Sequence, residues 1–119
     1  MTKALPDPLA PQPPPTTGHG DVWLDIVYAI WNLDRATGFR LAFLRPLAGQ
    51  MQDRREQGIA RYGVPLQYDN GRDAWVDALQ EALDLVAYTW QARAPWWMRW
   101  GAVGWAWLIQ RRLSDRSTP

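Results

Sequence analysis

Two pairs of carboxylates carry the chemistry in this chain: Asp53 and Glu56 form D-x-x-E, and Glu81 and Asp84 form E-x-x-D. Residues three apart share one side of a helix, displaced by a turn. Asp77 and Tyr88 extend the second pair into a stripe at i, i+4, i+7 and i+11, which helical periodicity confines to one narrow side. Carboxylates this close repel one another. Water and salt, an arginine from a neighbouring helix, or a divalent metal would relieve that repulsion. If the two helices pack antiparallel, the pairs face each other and offer an oxygen-rich site suited to Mg²⁺. A metal held there would bind substrate phosphates and stabilise charge while a phosphoanhydride is cleaved. Arg54, Arg55, Arg61 and Asp77 are then the candidate substrate-binding residues, with arginine suited to phosphate oxygens. The competing reading is a solvated or arginine-paired polar face. Leu83 and Leu85 flank Asp84, which predicts a largely enclosed carboxylate in need of a partner.

These residues need helices to hold them, and the sequence predicts four, over 21–33, 46–60, 70–92 and 95–112. In the first, Trp23, Ile26, Val27, Ile30 and Trp31 fall at i, i+3, i+4, i+7 and i+8 and form an inward stripe. Residues 34–45 are ambiguous because Gly38 weakens a helix and Pro46 disfavours the α region at Arg45. Pro46 is comfortable in the first turn of a new helix, whose Leu47, Met51 and Ile59 should face inward. Tyr62-Gly63 ends it, and Val64-Pro65 forces an extended step. Asn70 is the expected N-cap of the third helix, with Asp73 as its capping-box acid. Trp75, Leu79, Ala82, Val86 and Trp90 should form its apolar face. No strand pattern is present, so the expected fold is all-α, a small bundle of three to four helices.

The expected organisation is a disordered Pro-rich arm over 1–20, a helical domain over 21–113 and a disordered tail over 114–119. The arm holds six prolines, which favour extended, undonated backbone. His19, the single histidine, sits between Gly18 and Gly20 there and is expected to have no partner for catalysis or metal binding. No secretory signal is visible, since residues 1–20 are polar and proline-rich. The absence of cysteine excludes a disulfide framework, a zinc–thiolate site and a thiol nucleophile. A cytoplasmic setting is compatible with this. Lys+Arg 13 against Asp+Glu 12 leaves a net charge of +1, so bulk charge indicates no nucleic-acid binding.

The segment EALDLVAYTWQ resembles the E-x-x-D helix of the MazG-type all-α nucleoside triphosphate pyrophosphatases. In that family an E-E-x-x-E helix precedes it, and the acids bind Mg²⁺. The resemblance implies hydrolysis of a nucleoside triphosphate to monophosphate and pyrophosphate, within an oligomer. Glu81 and Asp84 match the second motif. Asp53 and Glu56 match the first loosely, with Arg55 in place of one paired glutamate. A wider stretch, reading Y-G-x-x-L, then N-G-R-D, then E-A-L-D, resembles small helical proteins encoded by tailed phages and prophages. That resemblance implies a viral or prophage source and names no reaction.

The last helix, opened by Pro95, holds five of the nine tryptophans of the chain. Trp96, Trp100, Val103 and Trp107 stand at i, i+4, i+7 and i+11 and are expected to be buried against protein. The apolar run is short of the ~20 residues that span a bilayer. Trp flanked by Arg suits a protein–protein face or a helix lying in a membrane surface. Trp96, Trp97, Trp100, Val103, Trp105 and Trp107 are accordingly the candidate interface or membrane-contact residues, and a homo-oligomer is expected. Two functions therefore compete: a Mg²⁺-dependent nucleotide pyrophosphatase, and a non-catalytic helical adaptor acting through its Trp-rich helix by oligomerisation, partner binding or membrane-surface binding.

Overall fold

The computed structural model describes residues 10–37 and 42–116. They form four α-helices: α1 (Val22–Thr37), α2 (Arg45–Tyr62), α3 (Ala74–Gln91) and α4 (Trp96–Arg116), with a 3-10 turn at Ala42–Leu44 before α2. The all-α expectation holds. The only β feature among the described residues is one isolated antiparallel bridge, His19 to Tyr68. Two compact units divide the chain: residues 14–71 carry α1 and α2, and residues 1–13 with 72–119 carry α3 and α4.

In the unit holding α1 and α2, Asp21 starts α1: its carboxylate accepts the Leu24 N–H at 3.1 Å. The other oxygen of Asp21 accepts from Arg55 Nε of α2 at 2.7 Å, tying the two helices. Val27 and Ala48 are the buried residues of this pair. Ala48, not the expected Leu47, faces inward; Leu47 is exposed, and Met51 and Ile59 are half-buried. Trp31 is likewise exposed, while Trp23, Ile26 and Ile30 are half-buried. Pro46 stands in the first turn of α2, and Gly63 ends it at φ +81°, its N–H bonded to the Ile59 carbonyl. That left-handed stop favours glycine.

Of the arm expected over 1–20, residues 1–9 lie outside the described residues. Residues 16–22 run alongside 66–70: the Thr16 N–H donates to the Asn70 carbonyl, His19 and Tyr68 exchange two bonds, and Val22 N–H donates to Leu66 O. Gly18 allows this close approach, because a Cβ there would collide with the Tyr68 carbonyl.

In the other unit, α3 begins at Ala74, four residues later than expected. Asp73 itself is the N-cap, its carboxylate accepting from Trp75 N–H at 3.0 Å and Val76 N–H at 3.3 Å. Residues 69–71 cannot extend the helix: Asp69 (φ 51°) and Gly71 (φ +80°) are left-handed. The Arg116 guanidinium of α4 donates to both Asp73 oxygens, at 2.6 and 3.2 Å, so the end of α4 closes on the start of α3. Gln12 completes this cap: its amide takes the Asp73 N–H and donates to the Asp73 carbonyl and the Asp77 carboxylate. Ser114, Asp115 and Arg116, expected in the tail, belong to α4, and residues 117–119 lie outside the described residues.

The seam of this hairpin overturns one expectation. From α3 it buries Val76, Leu79, Ala82 and Thr89, whereas Trp75 and Trp90 are about two-fifths exposed. From α4 it buries Ala102, Ala106 and Leu113, with Ile109 packed beside Val76, Leu79 and Leu113. The stripe of Trp96, Trp100 and Trp107, expected to be buried against protein in an assembly, is exposed in the single chain, and Val103 is half-buried. The reason is steric. Alanines at a contact let two helices approach near the lower end of the ~8–10 Å axial range, where an indole would wedge them apart.

Candidate functional site

The four proposed metal ligands are exposed on their helices, Asp53 and Glu56 on α2 and Glu81 and Asp84 on α3. The expectation that Leu83 and Leu85 enclose Asp84 fails: both leucines are themselves exposed. Each pair belongs to a different compact unit. Among the described residues no three His, Asp or Glu side chains form a group that could hold a metal ion. Of the proposed phosphate contacts, Arg55 is committed to Asp21, Arg61 lies over the Tyr62 ring at 5.2 Å, and Arg54 is exposed. Asp77 is paired with Arg72 at 2.7 Å and accepts from Gln12 at 2.6 Å.

Asp73 shows what a committed carboxylate looks like here. Hydrogen bonding from Arg116 is the largest cause that holds it below the ordinary carboxylate value, aided by the Val76 and Trp75 amides, and burial opposes the shift. In the other unit, His19 has the partner the sequence did not disclose: Nδ1 lies 3.4 Å from Asp69 Oδ2, and its ring leans on Tyr68. The Tyr68 hydroxyl donates to Asp25 at 2.7 Å, which raises its pKa. Both His19 and Asp69 are highly exposed, so this cluster is a surface tie between segments.

The most distinctive chemistry lies on the outer side of α4. Its five tryptophans are 56–69% exposed. At about 100° per residue, the buried Ala102, Ala106 and Leu113 define one side of the helix. Trp96, Trp97, Trp100 and Trp107 lie on the other. Gly101 and Gly104 open this face, and a Cβ at either would meet nothing within 4 Å.

Three arginines of α4 stack on indoles, one on this surface and two across the hairpin. Arg111 stacks on Trp107 at 5.5 Å within α4, an i, i+4 pair legible in the sequence. Arg99 stacks on Trp90 at 5.1 Å and Arg112 on Trp75 at 5.8 Å, both across the hairpin. These two fasten the hairpin near opposite ends, and Trp90 also meets Trp100 edge-on at 5.7 Å. A guanidinium over an indole gains roughly 0.5–1 kcal/mol when exposed and keeps its charge. Sequence reasoning noted that arginine flanks the tryptophans but not which indole each one meets, because two of the three stacks pair residues distant in the chain.

No helix among the described residues is long and apolar enough to cross a membrane. Comparison with family models, with curated proteins and with solved structures finds no match to this chain.

Proposed function

We propose that this chain is a non-catalytic helical interaction module whose working surface is the outer face of α4. One observation carries the reading: α4 spends Ala102, Ala106 and Leu113 on its own hairpin and leaves five tryptophans more than half exposed. A contiguous aromatic surface of this kind marks a binding site in a folded protein, and tryptophan dominates the energetics of such surfaces. An accessory role in a phage or prophage setting is in keeping with the resemblance carried by Y-G-x-x-L, N-G-R-D and E-A-L-D.

The experiment compares wild type with Trp100→Glu by light scattering and by vesicle sedimentation. Association of the wild type, with itself or with vesicles, that the variant loses supports the reading. A wild-type protein that stays monomeric at micromolar concentration and ignores vesicles removes it. The Mg²⁺-dependent pyrophosphatase reading has less support, because its four carboxylates stand exposed as two separate pairs. Pyrophosphate release from a nucleotide panel, present in wild type and lost in Glu81→Gln, would restore it.

A further inference from the structure

The outer face of α4 is aromatic and also carries the exposed Arg111, with the exposed Arg112 at its flank; the one carboxylate of the helix is Asp115, near its C-terminal end. Between Asp84 and Asp115 the chain has no carboxylate and four arginines, Arg93, Arg99, Arg111 and Arg112. Among the described residues Arg99, Arg111 and Arg112 stack on indoles and pair with no carboxylate. Arg99 is the inward member of this set: it is half-buried, it reaches Trp90 of α3, and its Nε–H is enclosed without a hydrogen-bond partner.

The acids of the hairpin are kept on its other side. On α3 the buried Leu79 and Ala82 and the half-buried Val86 share the side toward α4. Asp77, Glu81 and Asp84 lie about 180° around the same helix. The hairpin is thus polarised over most of its length: Asp77, Glu81 and Asp84 lie on one outer side, and the indoles with Arg111 lie on the other, with Asp115 at the far end of α4.

From this segregation we infer, resting on the reading of α4 as the working surface, that its outer face docks on an anionic lipid surface, with α4 lying in the interfacial plane. Indoles suit the headgroup region, where one edge is wet and the body apolar. Guanidinium groups complement lipid phosphates, and their stems lie along the aromatic surface while the heads reach water. At about 1.5 Å per residue, α4 presents roughly 30 Å of contact, and its apolar area and basic charge both add to binding. A second copy of the chain is a poorer occupant. Facing α4 helices would oppose like charges, and the exposed indoles would hold them apart at Gly101 and Gly104. Single-stranded nucleic acid also stacks on indoles, but it favours a charged groove, and this face is a convex helix surface.

The test uses the full chain with vesicles of phosphatidylcholine alone, or of phosphatidylcholine with phosphatidylglycerol, read by sedimentation and tryptophan emission. Expected is a blue shift and binding that needs phosphatidylglycerol and weakens as salt rises. Arg111→Gln with Arg112→Gln should bind about thirtyfold more weakly, at roughly a fivefold loss per basic residue. Glu81→Gln with Asp84→Asn, on the far side, should bind no worse than wild type. Circular dichroism of each variant should match wild type, since the altered side chains are exposed. Equal binding to both vesicle types without salt dependence overturns the anionic assignment. So does binding of a single-stranded oligonucleotide in place of vesicles. A stable oligomer that Trp100→Glu dissociates and that ignores vesicles overturns the lipid docking while leaving α4 as the working surface. A monomer that binds neither overturns both.

Discussion

The two sides of α4 are built from the same run of apolar sequence and do opposite things. The inner side is small: Ala102, Ala106 and Leu113 pack into the hairpin. The outer side is large, and its tryptophans remain in solvent. Size, more than hydrophobicity, separates them. Burying an indole would release more apolar area, at ~25 cal/mol per Å², but only if a neighbour could close over it. Against α3 the closely packed seam excludes it. The comparison teaches that the most hydrophobic stripe of a helix need not be the stripe its own chain covers.

Substitutions on the two sides should separate sharply. The largest effect is expected at the seam: Leu113→Ala or Leu79→Ala should cost about 2–5 kcal/mol in denaturant unfolding, because each leaves a cavity. Next, Ala106→Leu should cost about 1–3 kcal/mol by forcing the helices apart. Equal stability of Ala106→Leu and wild type would mean that the seam is not tight.

A smaller effect is expected at the cap that closes the hairpin. Asp73→Ala should cost about 1–2 kcal/mol, since two α3 amides lose their acceptor and Arg116 loses its partner. This prediction carries a pH signature. The folded-state pKa of Asp73 is depressed, chiefly by Arg116. Its stabilisation is therefore complete above the unfolded carboxylate value of about 3.9 and is lost as pH falls through the lower folded value. The stability gap between wild type and Asp73→Asn should be constant near neutrality and shrink below about pH 4. A gap that widened on acidification would contradict the pairing.

On the outer side the sign reverses. Gly104→Ala should stabilise α4 by about 0.5–1 kcal/mol, because helix propensity improves and the added methyl meets nothing. The smallest effect is expected on the acidic side of α3. Glu81→Gln should stay within about 0.5 kcal/mol of wild type, as Glu81 is exposed.

The helices were legible because local signals agreed: Pro46 and Gly63 bound α2, and Pro95 precedes α4. Their starts were less so. Asn70 and Asp73 are both competent caps, and the choice fell to Asp73. The left-handed turn at 69–71 and the Thr16 bond to the Asn70 carbonyl place that stretch outside the helix. The acidic pairs were legible as residues on shared helix faces, but whether two pairs meet depends on packing between segments, on which spacing is silent. The tryptophan surface was legible as a surplus that a core of this size would struggle to cover. Its arginine partners were not, apart from Arg111, because Arg99 reaches Trp90 and Arg112 reaches Trp75 from another helix.

By itself the sequence determined the helical content, the stops, the run from 85 to 114 without a carboxylate, and the excess of indole in α4. These depend on backbone propensity, on residues near in the chain and on composition. Only the tertiary structure decided which side of each helix is covered. Periodicity names a face but not the neighbour that meets it, and here the neighbour is met through alanines. Packing against α3 selected the small side of α4 for the seam and left the large side, with Arg111 on Trp107, outward.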